Sequence, residues 1–206
     1  IYEYAFVLLG AIGFAGIVMF ISAAVKNNVL TLLLSLAVVY GPMMIVELTE
    51  LSNGQKVDSR IYPYLQEMFD AARKDGIYPV VWEGYRTYEE QQKILDDKIK
   101  AYINEGYSQS RAERTAKEWV ALPGTSEHQL GIAVDINADK SKSSNDEVYT
   151  WLAANAHNYG FILRYPQGKQ AITGTSYEPW HYRYVGVDAA REIYERGICL
   201  EEYFEQ

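Results

Sequence analysis

Two long uncharged runs at the N-terminus do most to limit what this chain can fold into. No Asp, Glu, Lys or Arg occurs from Ala5 to Val25, and after Lys26-Asn27-Asn28 a second uncharged run extends from Val29 to Val46. As a helix, either run is about long enough to cross a hydrocarbon core of ~30 Å. The pair therefore reads as two membrane spans joined by a tight polar turn. Gly10, Gly13 and Gly16 give the first span a small-residue face for close approach of the second. Three readings compete. A signal peptide would have a shorter apolar core and a basic lead-in, whereas this lead-in holds Glu3 and no Lys or Arg. A buried core hairpin suits the second run, whose length is marginal. The start at Ile1 rather than Met makes the chain a candidate fragment with further sequence upstream.

Flanking charges orient the hairpin. Lys26 lies in the turn, Glu3 precedes the first run, and Glu47 and Glu50 follow the second. The positive-inside tendency then puts the turn in the cytoplasm and the rest of the chain outside. Cys199 is the one cysteine, so an exported domain here relies on its core rather than on disulfides. Polar Glu47 to Lys56, with Ser52-Asn53-Gly54, reads as a linker and turn. The expected organisation is an anchor and linker over 1–50 and a soluble domain over 51–206. No Lys/Arg cluster alternates with aromatics there, so nucleic acid is not an expected partner.

Within the domain, Ile61, Leu65, Met68, Phe69 and Ala72 recur at helical spacing, with Asp58 or Ser59 as N-cap and Gly76 as the stop. Ile77 to Trp82 reads as a strand, and Pro79 marks it as an edge or a bulge. Thr87 and Glu90 form a capping-box pattern for a helix from Tyr88 to about Ile103, and Ser110 and Glu113 repeat it for a helix to about Ala121. A helix from about Glu147 to Tyr159, capped at Ser144-Asn145-Asp146, a strand from Phe161 to Tyr165 and a last helix from Ala189 to Arg196 complete the scaffold. Gln167 to Tyr177 is either a substrate-side loop or a mere connection.

Two stretches carry chemistry. Ser126-Glu127-His128-Gln129-Leu130-Gly131-Ile132-Ala133-Val134-Asp135 runs from a loop into a strand, and strand alternation sends Ile132, Val134 and Ile136 to the core and Asp135 to the other face. Glu178-Pro179-Trp180-His181 opens a second strand, expected in the same sheet. His128, Asp135 and His181 are thereby candidate ligands for one divalent metal, the donor set of a catalytic zinc site with a position left for water. One cysteine excludes a closed thiolate site. Glu178 stands where a carboxylate could take a proton from water and return it to a leaving amine. Taken singly, each residue is more often structural, but two of the three histidines fall in motifs that carry a carboxylate. His157 has no such company and is assigned to a helix C-terminal turn, where a cation is favoured.

The SxHxxGxAxD pattern at Ser126 to Asp135, the ExxH pattern at Glu178 to His181, and Gly84-Tyr85-Arg86-Thr87 ahead of a Gln-containing helix resemble D-alanyl-D-alanine carboxypeptidases of the VanY type. The resemblance spans about residues 57 to 204. It implies an α+β fold, a small antiparallel sheet flanked by helices around a zinc cleft, here preceded by the N-terminal hydrophobic helical hairpin. It implies a zinc peptidase of the bacterial cell wall that removes the C-terminal D-alanine from peptidoglycan stem peptides. By the motif match, His128, Asp135 and His181 bind Zn2+ and Glu178 is the general base. Arg86 pairs with a substrate or transition-state oxygen, and Ser126 and Gln91 help to hold the peptide. The expected location is the bacterial cell membrane, with the catalytic domain on the extracytoplasmic side. An L,D-carboxypeptidase acting on tetrapeptide stems and a non-catalytic peptidoglycan-binding module of the same fold are the alternatives.

Overall fold

The computed structural model describes residues 47–205. The apolar runs and the hairpin expected from them lie outside the described residues. Among the described residues no helix is long and apolar enough to cross a membrane.

The domain mixes helices with two small antiparallel sheets. Strands β1 (Leu48–Glu50) and β2 (Lys56–Asp58) pair across the turn at Ser52–Gly54, so part of the expected linker is strand. The main sheet comprises β3 (Pro79–Glu83), β4 (Ala133–Ala138), β5 (Phe161–Leu163) and β6 (His181–Tyr184) in the order β3-β4-β6-β5, every neighbouring pair antiparallel. Pro79 begins the edge strand β3, where its missing N–H costs no ladder bond. The register shift between Val81 and Glu83 is the expected irregularity. Helices are α1 (Tyr62–Lys74), α2 (Tyr88–Asn104), α3 (Gln109–Ala116), α4 (Asn145–Asn155), α5 (Gln170–Thr173), α6 (Val187–Arg196) and α7 (Leu200–Phe204).

One face of the sheet is the core. Val81, Val134, Ile136 and Tyr182 pack there with Leu65, Met68 and Phe69 of α1 and Val148 and Leu152 of α4. Each such side chain contributes about 1.5–3 kcal/mol on burial. Alternation turns the other face of β4 and β6 toward the site.

Helix starts separate where the sequence was followed from where it was not. Thr87 and Ser144 form the capping boxes that start α2 and α4. Asp58 does not cap α1. Its carboxylate accepts from the backbone N and the Nε of Arg60, and the helix begins after Ile61. Ser110 does not cap α3 either. Glu113 accepts instead from Gln109 Nε2 at 2.6 Å, Ser108 is the N-cap residue, and the helix stops at Ala116 rather than near Ala121.

Candidate metal centre

Antiparallel register places the site. Asp135 of β4 lies directly opposite His181 of β6, so both side chains leave the same face of the sheet. His128 arrives from a 3-10 turn, Glu127–Leu130, that ends at Gly131 with φ of 69°. A glycine is required there for conformation and for space, because a Cβ would press on the backbone of Asp58.

His128 Nε2 is 3.5 Å and His181 Nδ1 is 2.9 Å from Asp135 Oδ1. The three ligand atoms lie within 4.8 Å of one another, and the imidazoles meet edge-on at 83°. The second nitrogen of His128 is fixed: its Nδ1 is 2.8 Å from the Gly84 carbonyl, an acceptor, so Nδ1 carries a proton and Nε2 is the nitrogen turned to the carboxylate. Two imidazole nitrogens and one carboxylate oxygen, converging in a buried spot, fit a zinc or similar borderline cation.

Electrostatics agree with that fit. Burial works against charge on Asp135, yet His128 and His181 hold its carboxyl far below the usual range. His181 is disfavoured as a cation by burial, but Asp135 and Glu127 raise it to about 9. The cluster thus attracts positive charge. Glu178 behaves oppositely. Burial pushes its carboxyl up to about 7, His181 and Arg86 opposing and Asp135 reinforcing, with Glu178 Oε2 3.9 Å from His181 Nδ1.

Around this cluster opens a cleft of about 510 Å³ that also takes in Arg86, Gln91, Ser126 and Glu178, so all seven predicted site residues line one space together with Trp180. The Arg86 backbone N–H donates to the His128 carbonyl at 3.1 Å, which ties the loop of one to the turn of the other. Its guanidinium donates to Gln91 Oε1 at 2.7 Å and lies 3.4 Å from Glu83, leaving the buried Nε unpartnered. Gln91 is itself buried and spends its amide on Ala121 O at 2.7 Å. His157 stacks on Tyr194 away from the cluster.

The sequence reading passed over one buried acid. Glu127 Oε1 accepts from Arg164 Nε and Arg183 Nη1, both at 2.8 Å. Burial would raise this carboxyl, but His181, Arg164 and Arg183 outweigh it and hold it at about 2. Its signal was available, since Glu127 adjoins His128 and Arg183 follows His181 by one strand period. Tyr165, whose ring lies 5.0 Å from that of His181, was also missed as a lining residue, whereas Thr175, which lines the cleft too, falls in the Gln167 to Tyr177 stretch read as a substrate-side loop or a connection.

Residues 54–187 match the VanY family, described as D-alanyl-D-alanine carboxypeptidase. The chain belongs to this family. A D-alanyl-D-alanine carboxypeptidase of Enterococcus faecalis is 60% identical over 158 residues, 77% of this chain and 59% of the relative. The chain thus spans about 59% of the length of that relative. Among solved structures, VanYB in complex with D-alanine-D-alanine is 59% identical with a TM-score of 0.77, covering 79% of this chain and 90% of that one. A mutant VanY D,D-pentapeptidase from a VanB-type resistance cassette, in complex with Zn(II), is 58% identical with a TM-score of 0.76, covering 79% and 92%.

Proposed function

We propose that this chain is a zinc-dependent carboxypeptidase that removes the C-terminal D-alanine from peptidoglycan stem peptides, acting on the D,D bond. One observation carries the reading. A buried carboxyl with raised proton affinity, Glu178, adjoins a convergent His128–Asp135–His181 cluster in a cleft that also presents Arg86. Similarity to one protein solved with D-alanine-D-alanine and to another solved with Zn(II) supports the substrate and the metal.

His128, Asp135 and His181 would hold the ion. Zinc supplies Lewis acidity there, polarising a carbonyl and lowering the pKa of water. Glu178 takes the proton from the attacking water and returns it to the amino group of the departing D-alanine, a double duty suited to a carboxyl poised near neutrality. Arg86, held by Gln91, offers a planar fork to a substrate carboxylate or to the oxygen that gains charge. Ser126, buried at the cleft, would hold the peptide.

Residues 1–50 would serve as a two-span membrane anchor and linker, with 51–206 as the catalytic domain on the extracytoplasmic face of a bacterial membrane. The two uncharged runs and Lys26 between them support this. Protease added outside spheroplasts should then reach the domain; full protection would reverse the orientation.

Mass spectrometry of products tests the activity. The 206-residue chain, zinc-loaded or chelated, is incubated separately with pentapeptide and tetrapeptide stems. Zinc-dependent loss of one alanine from the pentapeptide is expected. Loss from the tetrapeptide alone would reassign the bond as L,D, and no cleavage with zinc bound would favour a binding module.

A further inference from the structure

The two histidines of the cluster are oriented by different means. His128 has its second nitrogen on a backbone carbonyl. His181 has no such carbonyl: its Nε2 is buried without a hydrogen-bond partner, and 3.6 Å away stands Glu127 Oε2, buried and equally unpartnered. This separation is slightly beyond a hydrogen bond, and a shift of a few tenths of an ångström closes it. A donor and an acceptor left over in the same buried place are each other's complement, since leaving both unmade is expensive.

We propose that Glu127 is a positioning residue for the metal centre, accepting the Nε2–H of His181 and so presenting that ring's Nδ1, bare and correctly aimed, to the ion. The inference rests on the zinc reading above. Its support is the way Glu127 is held. Oε1 is occupied by two guanidinium groups, Arg164 and Arg183, which leaves Oε2 as the free acceptor and stops the side chain from swinging away. Arg183 shares a strand face with His181, two residues on, so a carboxylate bridging both is dictated by the period of β6. Its cross-strand partner is Ala133, whose small side chain leaves room for the bridge. Arg164 is in turn gripped by both oxygens of Glu201 on α7, at 3.0 and 2.6 Å. A part-buried ionic chain thus runs Glu201, Arg164, Glu127, His181, from α7 to the metal centre. A carboxylate behind a ligating imidazole fixes its tautomer and makes it a stronger donor than a carbonyl would.

Three measurements on the 206-residue chain in detergent test this. Long-range proton–nitrogen correlation of the zinc-loaded wild type should find the His181 proton on Nε2 and none on Nδ1; a proton on Nδ1 would overturn the proposal without any variant. Glu127→Gln should weaken zinc binding about 10- to 100-fold by chelator competition. Glu201→Gln loosens the same ionic chain but leaves the Glu127–His181 contact, so it should lower the metal-free melting temperature while shifting zinc affinity less than about threefold. Equal losses of affinity in both variants would mean that Glu127 acts only through the fold. A wild type that binds no zinc would defeat the metal reading itself, a result distinct from either variant effect.

Discussion

Gly84 links the fold to the metal centre closely enough for a single methyl group to test the connection. A Cβ at this position would fall inside the contact radius of the Lys56 backbone carbonyl, which has no freedom to rotate aside. The neighbouring bonds show what must give: Gly84 N donates to Gln55 Oε1 at 3.0 Å, Tyr85 N donates to the Lys56 carbonyl at 2.5 Å, and His128 Nδ1 sits 2.8 Å from the Gly84 carbonyl. In Gly84→Ala, overpacking against backbone costs about 1–3 kcal/mol. Loosening one or two of those bonds adds about 0.5–1.5 kcal/mol each. The total of about 1.5–6 kcal/mol should lower the melting temperature of the metal-free chain by about 3–24 °C.

The same displacement pulls away the carbonyl that orients His128. Zinc affinity should fall about 10- to 100-fold, as for loss of any partner behind a ligating histidine. Calorimetry without metal and chelator competition with it separate the two effects. Gly54→Ala is the control: its methyl meets open space, and only the positive φ of 84° is strained. That variant should lose about 1–2 kcal/mol and bind zinc as the wild type does. A Gly84→Ala chain with unchanged zinc affinity would refute the argument that the Gly84 carbonyl sets the orientation of His128.

Glu178 gives a pH-dependent effect in the metal-free chain. Its folded value of about 7 lies above the ordinary 4.5, so its contribution to stability is complete below pH 4.5 and is lost as pH rises through 7. Glu178→Gln removes that loss, and its melting temperature should gain on the wild type between pH 5 and pH 8; parallel curves would refute the burial argument. Arg86→Lys keeps the charge but not the fork that Gln91 steadies, and kcat/KM on a pentapeptide stem should drop at least about tenfold. Wild-type kinetics in that variant would remove the guanidinium from substrate recognition.

How much was legible in the sequence followed from how local the determinants were. The helices begun by Thr87 and Ser144 were readable because a capping box closes within four residues. The false starts at Asp58 and Ser110 have the same chemistry, with the difference that Arg60 and Gln109 take the acceptors first. Side-chain competition of that kind is invisible to a pattern. His128, Asp135, His181, Glu178 and Arg86, which line one cleft, were singled out because loop and strand motifs carry them in recognisable spacing. Glu127 was missed because its partners, Arg164 and Arg183, lie 37 and 56 residues away and meet it only when β5 and β6 pair.

One register explains why core and site are specified together. With Asp135 opposite His181, Val134 falls opposite Tyr182 on the buried face, and both of that pair are essentially inaccessible. Sliding β6 by one residue would bring Tyr182 and its hydroxyl to the cleft and drive His181 and Arg183 into the apolar core. The second change would strand two cationic or polar groups without partners, at several kcal/mol each. Apolar packing therefore excludes the slipped sheet before any metal binds. The two metal-facing side chains need no separate device to find each other, since the pairing that buries Val134 and Tyr182 also sets Asp135 against His181.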